Sequence, residues 1–169
     1  MTESTEPAYF VNAQSDPVVL KINGRATYLN CKPVADFFTA MLNHGKKNYI
    51  VDFSRCSGMD STFLGILAGL GRDLLSQDPP GQIILARIAG RNLELVRNVG
   101  IHRITRLETD EAPLVYEAPA GQLAPSAQDR DEQARMILKA HQNLLDIDES
   151  NKAKFQDVIS FLKSQLGSS

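Results

Sequence analysis

Apolar residues along the chain switch between a period of two and a period near 3.6, and the switches mark out alternating strands and helices. Ala8 to Ala13 and Pro17 to Asn23 predict two strands, with turn-forming Gln14-Ser15-Asp16 between them. A hairpin therefore opens the fold, and Gly24 is expected to end its second strand. From Asn30 to Leu42, Val34, Phe37, Phe38, Met41 and Leu42 make a helical stripe, with Pro33 tolerated in the first turn and His44-Gly45 as the stop. Asn48 to Phe53 predicts a central strand. Residues 61–76 predict a glycine-rich helix, broken by Gln77-Asp78-Pro79-Pro80-Gly81. A strand from Gln82 to Ile88, a helix from about Arg91 to Val99 closed by Gly100, and a short strand from Ile104 to Leu107 follow. This alternation favours crossovers and parallel pairing, and the opening hairpin makes the sheet mixed. The expected class is α/β: a mixed sheet of about five strands backed by helices.

The character of the chain then changes. Residues 117–128, with Pro119, Gly121, Pro125 and several alanines, read as a linker between a domain at 8–116 and a C-terminal helical hairpin at 129–166. Ala134, Ile137, Leu138, His141 and Leu145 are expected on one face of its first helix. Phe155, Val158, Ile159, Leu162 and Leu166 share a face of the second. Two helices bury too little surface to stand alone, so these faces should pack on the same molecule or on the mate in a homodimer.

A chain of 169 residues fits one domain with such an appendage, and a net charge of −2 leaves no footprint for nucleic acid. No apolar run approaches the roughly 20 residues of a spanning helix. Met1 to Pro7 is acidic and lacks a secretory signal's basic start and apolar core, which implies a cytoplasmic protein. Cys31 and Cys56 have no metal-ligand spacing and suggest reduced thiols, so no metal or cofactor is expected. No catalytic constellation stands out. His44 and His102 are not tied to Cys56 by any motif, and Ser61 lacks the Gly-x-Ser-x-Gly spacing of a hydrolase elbow. The glycines from Gly65 to Gly71 lie inside a helix, unlike a phosphate-binding loop, and His141 reads as a packing residue. Arg87, Arg91, Arg97, Arg103 and Arg106 read first as a solvated surface and more sharply as a patch for an acidic partner.

The chemistry concentrates at Asp60-Ser61-Thr62, where strand gives way to helix. The first N–H groups of a helix lack partners within it, and Asp60 is placed to cap them, with Ser61 and Thr62 in the first turn. The residues from Ser54 to Met59 read as a connecting loop, which would expose the hydroxyls. Phe63, Ile66, Leu67, Leu70 and Leu74 form the helix's core stripe, while Gly65, Ala68, Gly69 and Arg72 form a small-residue face. Each glycine costs about 1 kcal/mol against alanine in a helix, so several on one face imply close approach by another backbone. A phosphate on Ser61 would place up to about −2 charge there, tolerated by the helix dipole but opposed by Asp60 or an acidic partner.

Met59-Asp60-Ser61-Thr62, set between this strand and this helix, resembles the anti-sigma-factor antagonist branch of the STAS domain family. The resemblance covers roughly residues 8–110. Leu20 to Gly24 is similar to the family's second strand, and Asn98-Val99-Gly100-Ile101 to the end of its helix after the fourth strand. It implies a non-enzymatic switch in bacterial transcription or stress regulation. Ser61 would be phosphorylated by an anti-sigma factor that is a serine kinase, holding ATP and Mg²⁺ on its own chain, and a PP2C-type phosphatase would reset it. Asp60, Ser61, Thr62, Gly65, Gly69, Arg72 and Thr27 would form the partner surface. Two positions depart from the family: Phe63 stands where glycine is usual, and Arg25-Ala26-Thr27 where an aspartate is common. The alternative is a constitutive STAS-type scaffold in a larger assembly, with Ser61 only a cap.

Overall fold

The computed structural model describes residues 8–109, 116 and 118–167. The acidic lead at 1–7, the expected domain end at 110–115 and Glu117 lie outside the described residues. The chain runs β1 (Tyr9–Asn12), β2 (Val18–Ala26), α1 (Lys32–Asn43), β3 (Asn48–Met59), α2 (Ser61–Leu75), β4 (Gln82–Ala86) and α3 (Gly90–Asn98). A 3₁₀ turn at Ile101–Arg103 leads to β5 (Arg106–Glu108), β6 (Gly121–Gln122), α4 (Arg130–Ile147) and α5 (Asn151–Gly167).

The sheet is α/β and mixed, with strand order β5-β4-β3-β2-β1-β6. The β1–β2 hairpin is antiparallel, and β2, β3, β4 and β5 pair in parallel through their helical crossovers. Val51 of β3 is fully buried and lies opposite Leu20 and Leu85 on the flanking strands, as an apolar central strand should.

Three boundaries depart from the sequence expectation. β2 does not stop at Gly24, which adopts φ +91° where the β2–β3 register slips, and the strand continues to Ala26. Residues 54–59 are the end of β3, paired with Asn23 to Ala26, and not a loop. The sheet has a sixth strand because Gly121 and Gln122, inside the expected linker, pair with Val11 and Phe10. So short a strand is recruited by the open edge of β1 and leaves no alternation to read in sequence.

The C-terminal helices pack on this same molecule. α4 lies along α2 and α5 along α4, so α2 is enclosed between the sheet's core and α4. Its buried residues accordingly run from Thr62 to Gly71 without a polar face. The face of α4 turned inward is Ala134, Ala140, His141, Asn143 and Leu144, with Ile137, Leu138 and Leu145 only half-buried. That corrects the expected apolar stripe: opposite the glycine-rich α2, small and polar residues fit where large apolar ones do not.

Candidate functional site

Asp60 is the only residue between β3 and α2, and its extended backbone is that of an N-cap. One carboxylate oxygen accepts from the Phe63 N–H at 3.0 Å and the other from the Tyr28 N–H at 2.8 Å. A single side chain thus caps α2 and fixes the β2–α1 loop beside it. In that loop the Thr27 hydroxyl accepts from the Leu29 N–H at 3.3 Å, so it supports the local turn. Thr62 is buried, whereas Ser61 remains half-buried. Phe63, the departure from the family's glycine, is fully buried and stacks on Tyr9 with ring centroids 6.3 Å apart. It has become part of the core.

Ser61 meets a residue that sequence reasoning did not connect to it. Its Oγ lies 2.8 Å from Nε2 of His141, which is 3 % exposed. Nδ1 of the same ring lies 2.7 Å from the Ile137 carbonyl, an obligate acceptor. In the neutral imidazole Nδ1 therefore carries the proton, and Nε2 accepts from the Ser61 hydroxyl. The Phe155 ring packs edge-on to the imidazole with centroids 5.2 Å apart. Two polar residues, His141 and Asn143, within an apolar helix face were the available signal, since such groups require a buried partner.

The rest of the small-residue face is met by α4 as well. A Cβ at Gly65 would overlap the Ala140 carbonyl, and one at Gly69 would lie 2.5 Å from Asn143 Nδ2. Asn143 Nδ2 donates to the Gly65 carbonyl at 3.2 Å, and Arg72 forms an ion pair with Asp146. Four of the expected surface residues, Ser61, Gly65, Gly69 and Arg72, are thus gathered on one helix face beneath α4. Asp60 and Thr27 lie at its end, and Thr62 turns into the core.

Ser61 also borders a cavity of about 620 Å³ between the start of α2, α3 and α5. Arg25, Arg91 and Lys154 line it, and Asp60 is the acidic residue among its walls. The basic run from Arg87 to Arg106 does not act as one patch: Arg103 pairs with Asp148, Arg106 with Glu108, and Arg91 faces this cavity. Cys31 is buried, and burial pushes its thiol up to about 12; burial also raises Cys56. Both shifts favour the protonated thiol over the reactive thiolate at neutral pH. Among the described residues, no group of three or more His, Cys, Asp or Glu is placed to hold a metal, and no helix is long and apolar enough to cross a membrane.

The family model described as "Mlab, STAS domain" matches residues 9–109, and the chain belongs to the STAS domain family. Domains of this family typically regulate and bind and do not catalyse. Among solved structures, this chain is similar to the Bacillus cell fate determinant SpoIIAA in its phosphorylated form. Identity is 21 %, the TM-score 0.50, and the match covers 62 % of this chain and 94 % of that one. It is also similar to the anti-sigma factor antagonist SpoIIAA in its unphosphorylated form, at 20 % identity and a TM-score of 0.49, covering 59 % and 86 %. No curated protein matches its sequence. These likenesses concern the fold, and α4 and α5 lie beyond the family match.

Proposed function

We propose that this chain is a phosphorylation-controlled protein-binding switch of the anti-sigma factor antagonist kind, with Ser61 as the phospho-acceptor. The observation that carries the reading is the place of the Ser61 hydroxyl: first residue of α2, directly after its cap, on a cavity lined by three cationic side chains. A phosphoserine there would gain from the helix N-terminus and from Arg25, Arg91 and Lys154, while Asp60 already accepts from two N–H groups. The domain can therefore carry the modification without unfolding. Unphosphorylated, it would bind an anti-sigma factor that is also a serine kinase and so free the sigma factor. Phosphate charge and bulk would end that complex, and a PP2C-type phosphatase would restore it.

Ser61→Asp tests the switch apart from the fold. An acid near a helix N-terminus gains roughly 0.3–1 kcal/mol, so thermal stability should hold. Affinity for the kinase, measured by calorimetry, should fall on the order of 10-fold or more from charge repulsion and desolvation. A variant that binds as tightly as the wild type removes the switch.

A constitutive scaffold is the second reading, and the Ser61–His141 hydrogen bond favours it, since it gives the hydroxyl a structural task. Ser61 unmodified in cells under several stresses would support the scaffold.

A further inference from the structure

The α2 face assigned above to a partner is already covered by the chain's own α4. Ser61 is met by His141, Gly65 by the Ala140 carbonyl and Asn143, Gly69 by Asn143, and Arg72 by Asp146. α5 holds α4 in this position: Asn151 Nδ2 donates to the Val99 carbonyl at 2.9 Å and to the Leu144 carbonyl at 2.8 Å, and Lys154 donates to the Asn98 carbonyl. This seat joins the domain's core through Leu144 but is more polar than the rest of it. It buries His141, Asn143 and Asn151, and a cavity of about 140 Å³ remains between α1, α2 and α4. Incomplete packing along a helix–helix contact lowers the cost of separating it relative to a close-packed core.

We propose that α2 forms a helix-binding groove whose resident occupant is α4, so that the C-terminal hairpin competes in cis with a helix from the partner. The proposal rests on reading α2 as the partner face. The groove itself describes what fits. Backbone must reach the space a Cβ would take at Gly65, which requires a small residue on the incoming helix. An amide side chain three residues on reaches the Gly65 carbonyl, as Asn143 does after Ala140, and a carboxylate a further three residues on answers Arg72, the place Asp146 fills. A partner helix with these features binds only the fraction of molecules whose hairpin has lifted, and its apparent affinity is reduced by that fraction.

The competition can be read without any kinase, using a synthetic peptide of residues 129–167 titrated into the full chain. Ala140→Glu places a charge at a position 2 % exposed on α4 and leaves every α2 residue unchanged. The peptide should bind this variant on the order of 10-fold or more tighter than the wild type. Amide exchange in α2 should be faster in the variant and slow again when peptide is added. Should Ala140→Glu also speed exchange in β3 and β4, the comparison is made with Asp146→Arg, which sets like charges at a half-exposed pair. Equal peptide affinity for wild type and variant, or an opened α2 that takes no peptide, overturns the proposal. Neither result bears on whether Ser61 is phosphorylated, and an unmodified Ser61 would leave the competition standing.

Discussion

Asp60 joins folding to function at the smallest scale, because its two carboxylate oxygens hold the α2 N-terminus and the β2–α1 loop together. Asp60→Ala should cost about 1 kcal/mol in urea unfolding, as for other lost caps, and should raise amide exchange at Tyr28 as well as in the first turn of α2. The Asp, Ser and Thr at a helix start made this cap legible in the sequence. The buried partner of Ser61 was not, since His141 lies 80 residues away and nothing local pairs them. Asp52 is a buried carboxylate with a distant partner. Burial alone would raise its pKa, but hydrogen bonds from the Tyr116 hydroxyl and the Ser54 N–H hold it below the usual carboxylate range. The unfolded chain takes up this proton more readily, so the stabilisation is full above about pH 4 and is lost as pH falls through the lowered folded value. Tyr116→Phe should cost about 1–3 kcal/mol near pH 7 by leaving a buried acceptor short of a donor, and less at pH 3. Urea midpoints at the two pH values check this.

At the scale of elements, the glycines of α2 forecast a close approach, and α4 makes it. Gly65→Ala should force the two helices apart, at about 1–3 kcal/mol for overpacking, with faster exchange in α4 and unchanged protection in β3 and β4. Unaltered exchange in α4 would mean that the helices yield without separating. The central strands β3 and β4 were readable because burial makes Tyr49 to Phe53 and Ile83 to Ala86 almost wholly apolar. The extension of β3 through Ser54 to Met59 was hidden by Ser, Arg and Gly, whose place in the sheet depends on pairing with β2. The inward face of α4 was misread for a related reason: opposite glycine, the fitting residues are Ala140 and Asn143, which a search for large apolar side chains passes over.

At the scale of the whole molecule, a STAS domain carries its own cover. The family's sequence pattern gave the domain's class, and the length of the two C-terminal helices required that their apolar faces be buried. Neither could say that the hairpin would settle on the helix that begins with Ser61, because that choice depends on surfaces brought together only by folding. The phosphate-acceptor assignment is the claim on which the functional account turns, and phosphate mapping tests it most directly. The full chain is incubated with the proposed anti-sigma kinase and ATP, and intact and peptide masses are recorded for wild type and Ser61→Ala. The account predicts a single phosphate, placed on Ser61 and absent from the variant. A phosphate on Thr62 or Ser57, or an unmodified wild-type chain, would contradict it.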